Sequence, residues 1–281
     1  MAEREGTLQL GALVWFYREV NPRGAGERSP ILLLHGLPAQ SLIWGDLLPR
    51  LAKRGFRAIA PDWIGFGFSS KPDRRSFAYT PDAYVEALEG FRDALGLERF
   101  SLVVQGFLGS VGVQYAFRHP ERIERLVVLN APLAAGSKLP WKMRRWGWPL
   151  VGEMLTQDPL LVDRTLEGGS GYRIAEANLA AYRQPFLQSS DAGRALGAAI
   201  KNLNLGQAMA ELEAGWPNWK KQTLLVWGSA DPWLSPQRAQ QLAAAPNIDL
   251  VELERAQHYP QEHWSPEIDP HLGTFLRRKS L

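Results

Sequence analysis

The chain has 281 residues, 45% of them hydrophobic and 22% charged, with a formal net charge of +3. That length suits one α/β domain carrying an inserted subdomain and is short for two large domains. Acids and bases interleave too closely along the chain to suggest a nucleic-acid surface. The absence of cysteine excludes disulfides, thiolate nucleophiles and Cys-ligated metals.

The opening stretch, MAEREGTLQL, has neither the basic start nor the apolar run of a signal peptide. No apolar run approaches the ~20 residues of a membrane span, so a cytoplasmic location is expected. Residues 7–20 alternate in part and predict antiparallel edge strands. Short apolar runs at 31–34, 56–60, 101–104, 126–129, 224–227 and 250–253 are spaced by helical patterns. Near-continuous apolar strands of this kind predict a mostly parallel sheet covered on both faces. Thr80-Pro81-Asp82 predicts a helix start, with Thr80 as N-cap and Pro81 as the first helical residue. Tyr84, Leu88, Phe91 and Leu95 then share one face, and Gly96 closes the helix.

The rhythm breaks at 134–221. This interval lacks a parallel-strand pattern and concentrates tryptophan: Trp141, Trp146, Trp148, Trp216 and Trp219. It predicts a helical lid inserted between two strands, with 1–133 and 222–281 as the core. Gly168-Gly169-Ser170-Gly171 predicts a flexible loop within it.

Several motifs carry chemistry. His35-Gly36-Leu37-Pro38 follows an apolar strand, and a glycine there lets the backbone turn and present its N–H groups. Trp44 follows, and then the run APDWIGFGFSSKP at 60–72, in which Asp62 reads as a loop-organising carboxylate. Residues 102–112, LVVQGFLGSVG, form a strand-to-helix turn, and WGSADP at 227–232 and AQHYPQE at 256–262 each follow a strand.

In this order and spacing the motifs resemble those of the α/β-hydrolase fold, in its haloalkane dehalogenase and epoxide hydrolase branch. The resemblance covers about 8–133 and resumes at 222. It implies an eight-stranded, mostly parallel, doubly wound sheet with the lid between two strands. Set in register with that branch, Gly106 stands where the nucleophile belongs and Phe107 where a halide-binding Trp belongs. Leu108 replaces a glycine that normally follows. The Q-G-F-L turn also resembles a dehalogenase-like subgroup of cyanobacteria and plant chloroplasts.

The resemblance further implies His258 as base, Asp231 as its partner, and the amides of Leu37 and Phe107 as an oxyanion hole. It implies a pocket for a small apolar molecule lined by His35, Trp44, Trp141 and Trp146, with neither metal nor cofactor. Glycine cannot form a covalent ester, and Ser110 lies about one helical turn beyond it. Three readings stand. The first is an enzyme using His258 as a general base without covalent catalysis, for hydrolysis or a lyase step. The second is a ligand-binding pseudoenzyme. The third, a working dehalogenase or epoxide hydrolase, requires a carboxylate that position 106 lacks. Residues 138–148 interleave cations with tryptophan. They read as a lid helix with its tryptophans turned into the pocket, or else as a membrane-surface contact. The expected assembly is a monomer or homodimer.

Overall fold

A computed structural model describes residues 3–22 and 28–278. Eight strands form one sheet: β1 (Arg4–Leu10), β2 (Leu13–Val20), β3 (Ile31–Leu34), β4 (Ala58–Pro61), β5 (Phe100–Gln105), β6 (Ile123–Leu129), β7 (Thr223–Gly228) and β8 (Ile248–Leu253). Their order is β1-β2-β4-β3-β5-β6-β7-β8. The β1–β2 and β2–β4 pairs are antiparallel, and every later pair is parallel. Every residue of β3, β5 and β7 is buried, as expected of strands with helices over both faces.

The core helices before the insertion are α1 (Leu47–Lys53), α2 (Pro81–Ala94) and α3 (Gly106–Arg118). Between β6 and β7 lie α4 (Trp141–Arg144), α5 (Val151–Thr156), α6 (Leu160–Ser170), α7 (Glu176–Gln188), α8 (Ser190–Asn202) and α9 (Leu205–Gly215). After β7 come α10 (Gln237–Leu242), α11 (Pro260–His263) and α12 (Ser265–Arg277). Packing of α2 against α3 and of α1 against α12 completes the layers around the sheet. No helix among the described residues is long and apolar enough to cross a membrane.

The start of α2 forms by the chemistry its sequence predicts. Thr80 is extended and its side chain accepts the Ala83 N–H, while Pro81 sits in the first turn. Tyr84, Leu88 and Phe91 are buried on one face. Strand limits move by a few residues. β4 begins at Ala58 rather than 56, where Phe56 still belongs to the incoming turn, and β6 begins three residues earlier than expected, at Ile123.

One expectation is overturned. Gly168, Gly169 and Ser170 are the last turn of α6, and Gly171 caps it at φ 71. The run is a helix end, because Gly171 supplies the left-handed residue that closes the helix.

Candidate active site

The site is built at the turn between β5 and α3. Gln105 is extended (φ −139, ψ 145), and Gly106 then turns at φ +70 directly into the helix. An L-residue pays about 1–2 kcal/mol for that conformation, and glycine pays nothing for it. Leu108 is fully buried and leaves the turn in place. A Cβ built on Gly106 would lie 3.1 Å from Gly36 Cα, 3.5 Å from His258 Nε2 and 3.9 Å from the Leu37 nitrogen. The apex of the turn therefore faces an imidazole and the amide of the His-Gly loop.

His258 is held from several sides. Its Nδ1 donates to Asp231 Oδ2 at 2.8 Å, and neither side chain is exposed. The same Oδ2 accepts from Asn130 Nδ2 at 2.8 Å, and Oδ1 accepts the N–H groups of Trp233 (2.8 Å) and Leu234 (3.1 Å). With its oxygens facing these donors, the carboxylate pairs with a proton on Nδ1, which leaves the Nε2 lone pair free. Nε2 is buried and has no hydrogen-bond partner among the described residues. A buried polar atom left so costs about 1–3 kcal/mol and calls for a functional reason.

Aromatic rings enclose the imidazole. Phe107 stacks on it with centroids 5.1 Å apart, and Trp233 and Tyr259 lie at 4.7 and 4.9 Å. The Tyr259 hydroxyl donates to the Leu37 carbonyl at 2.6 Å, which ties the His-Gly loop to the histidine segment. Burial, aided by the Asp231 charge, pushes the Tyr259 phenol well above its usual range, so it remains a donor. Gln105 Nε2 donates to the His258 carbonyl at 2.8 Å. The His258 N–H donates to the Gly169 carbonyl at the end of α6, also at 2.8 Å. Only glycine fits there, since a Cβ on Gly169 would lie 2.5 Å from the rings of Trp233 and Tyr259.

The Leu37 amide nitrogen borders the space over Gly106, 3.9 Å from the Cβ position. Phe107, second residue of α3, presents its N–H at the open end of the helix. Ser110 is spent locally, its hydroxyl donating to the Phe107 carbonyl at 2.8 Å. Asp62 organises its loop by accepting the N–H groups of Ser41 (2.6 Å) and Phe68 (2.7 Å). Among the described residues no group of three His, Asp or Glu side chains is arranged to hold a metal ion.

The structure does not bring together the expected pocket residues. His35 is fully buried with both ring nitrogens engaged: Nδ1 donates to the Gly36 carbonyl at 2.9 Å, and Nε2 accepts the Trp63 N–H at 3.0 Å. Burial holds its imidazole below the usual pKa against the pull of Asp62, which keeps that acceptor nitrogen unprotonated. Trp44 is likewise fully buried, in the hydrophobic core. Trp141 is 58% exposed and stacks edge-on with Trp148. Trp146 is buried but lines a different cavity of about 510 Å³, between the 71–79 loop and the insertion. Composition placed tryptophan in the lid; which way each ring turns depends on helix packing that composition does not encode.

Four site residues escaped sequence reasoning: Asn130, Gln105, Gly169 and Trp233. Asn130 has a detectable signal, a short polar residue ending the apolar strand β6, and it adopts φ +37. Gly169 has none, because its partner is far along the chain.

Comparisons with known proteins agree with the fold. A family model described as the alpha/beta hydrolase fold matches residues 29–263. The chain is 31% identical over 246 residues to "Haloalkane dehalogenase 2" of Mycobacterium tuberculosis (strain ATCC 25618 / H37Rv), covering 84% of each. It is 32% identical over 254 residues to "Haloalkane dehalogenase" of Mycobacterium marinum, covering 87% of this chain and 84% of the relative. Among solved structures, haloalkane dehalogenase DbeA of Bradyrhizobium elkani superposes with a TM-score of 0.85 at 25% identity, covering 98% of both chains. The putative ancestral haloalkane dehalogenase AncHLD2 superposes at 0.84 with 27% identity, covering 96% of this chain and 98% of that one.

Proposed function

Since the chain belongs to the α/β-hydrolase fold family, in its haloalkane dehalogenase-like branch, we propose that it acts on a small apolar substrate by general-base catalysis from His258, without a covalent intermediate. The observation that carries this reading is the free, buried Nε2 of His258, aimed at the space a nucleophile's side chain would fill over Gly106.

For an ester substrate, a water over Gly106 gives its proton to His258 Nε2 while its oxygen bonds to the carbonyl carbon. Asp231 stabilises the imidazolium. The carbonyl electrons move to the oxygen, which accepts hydrogen bonds from the amides of Leu37 and Phe107. Collapse breaks the bond to the leaving alkoxide, which takes the proton back from Nε2. The products are a carboxylic acid and an alcohol, and the acid's new oxygen comes from solvent. The same groups serve a lyase step, in which Nε2 removes a carbon-bound proton, the C–H electrons form a double bond as the bond to a leaving group on the adjacent carbon breaks, and the leaving group takes the proton back from Nε2.

A second reading, a ligand-binding pseudoenzyme, is favoured by one observation: Nε2 is shielded from solvent. One experiment separates the two. The purified protein and its His258→Ala variant are incubated with aryl esters in ¹⁸O-water under single-turnover conditions. Turnover that disappears in the variant, with label in the acid and no adduct by intact-protein mass spectrometry, supports the dyad. A covalent adduct, or turnover unchanged by the variant, overturns it. Absence of turnover with ligand-dependent thermal stabilisation in both proteins assigns the site to binding.

A further inference from the structure

The exposed large hydrophobic side chains are unevenly placed. Among the described residues, five of the seven fall within fourteen residues of the insertion: Trp141, Trp148, Leu150, Val151 and Met154. Leu150 and Met154 expose 75% and 78% of their surface. They are four residues apart, and the Met154 N–H donates to the Leu150 carbonyl at 3.1 Å, so both project from one side of the α5 start. Trp148 precedes them and packs edge-on against Trp141 at 5.1 Å. An apolar cluster of this kind on a protein surface marks an interaction site.

The backbone pushes the same cluster outward. Leu150 has φ +60 and ψ −53, and the Val151 N–H donates to the Pro149 carbonyl at 2.6 Å. That is the left-handed γ-turn, a strained conformation for a leucine. Strain and exposure are both unfavourable in the isolated protein, and here they coincide on one side chain.

Charge identifies the partner. Lys138, Lys142, Arg144 and Arg145 lie in the same stretch, and none of them forms an ion pair among the described residues. Arg144 instead lies over the Trp141 ring at 5.8 Å. The only acid between 138 and 154 is Glu153. A second copy of the chain docked symmetrically would set four free cations against four. A nucleic acid would match the cations but leave the projecting leucine and methionine without an apolar environment. An anionic lipid surface meets both needs, with headgroups for the cations and an acyl boundary for the aromatic and aliphatic tips.

We propose that the α4–α5 face of the insertion is a docking surface for anionic membranes. The full chain is sedimented with vesicles of phosphatidylcholine, with and without phosphatidylglycerol, while tryptophan emission is followed. Binding is expected only with phosphatidylglycerol, with a blue shift from Trp141 and Trp148 and release at high salt. Each basic residue near such a surface contributes about 1 kcal/mol, or about fivefold in partitioning. Lys142→Gln with Arg144→Gln should therefore weaken binding about 25-fold, and Leu150→Asp with Met154→Asp should abolish it. All four positions project to solvent, so thermal midpoints should match the parent and exclude misfolding. The proposal is overturned if the parent stays in the supernatant with anionic vesicles, or if neither double variant weakens its sedimentation. It is also overturned if the parent is a dimer that the Leu150/Met154 variant dissociates while vesicles bind neither protein.

Discussion

Gly106→Asp tests the apex geometry directly. The new side chain must adopt φ +70, at about 1–2 kcal/mol for an L-residue. Its Cβ would stand 3.1 Å from Gly36 Cα, so that backbone must yield by a few tenths of an ångström at a further cost of about 1–2 kcal/mol. The sum, about 2–4 kcal/mol, lowers the melting midpoint by roughly 5–15 °C in a domain of this size. The Cβ would also stand 3.5 Å from His258 Nε2, which puts the carboxylate beside the base. With a primary iodoalkane the carboxylate oxygen attacks the carbon bearing iodine, iodide leaves with the bonding pair, and an alkyl ester forms on the protein. His258 then accepts a proton from water as the ester hydrolyses. The Gly106→Asp, His258→Ala double variant lacks that base and should accumulate the ester, seen by intact-protein mass spectrometry as one alkyl group. A folded double variant that gains no mass would refute the geometry, and an unchanged midpoint would refute the strain argument.

Other outcomes follow from the surroundings of the dyad. Asn130→Ala removes the donor to Asp231 Oδ2 and both bonds with Gly228, and places alanine at φ +37. It should cost about 2–4 kcal/mol in denaturant unfolding and lower any His258-dependent turnover about tenfold. Gly169→Ala drives a methyl into the Trp233 and Tyr259 rings, and should reduce turnover more than it reduces substrate binding, as read from separate kcat and KM. Burial pushes the Glu262 carboxyl up to about 7, against the hydrogen bond from Tyr182 at 2.6 Å. The folded chain thus keeps this proton to higher pH than the unfolded chain does. Stability is full below about 4.5, falls as pH rises to about 7, and is lower by about 3 kcal/mol above it. Glu262→Gln should therefore raise the melting midpoint at pH 8 and change it little at pH 4.5.

The sheet was legible because each strand is a local apolar run bounded by breakers, and burial on both faces writes the same residue types into 31–34, 101–104 and 224–227. The α2 start was legible because its cap spans four consecutive residues. The turn at Gly106, and His258 and Asp231 after their strands, were found through resemblance in motif and order, which fixes position but not contacts. What stayed hidden depends on partners distant in the chain. Asn130 meets Gly228 and Asp231 across 98 and 101 residues. Gly169 earns its place only beside Trp233, Tyr259 and the His258 amide. Trp141 misled for the opposite reason: an aromatic ring in a lid suggests a pocket wall, yet this one points to solvent.

The bond from the His258 amide to the last turn of α6 joins the insertion to the base itself. Lifting that end of the insertion must either break this bond or carry the histidine backbone with it, so the position of the imidazole over the turn at Gly106 is coupled to the seating of α6.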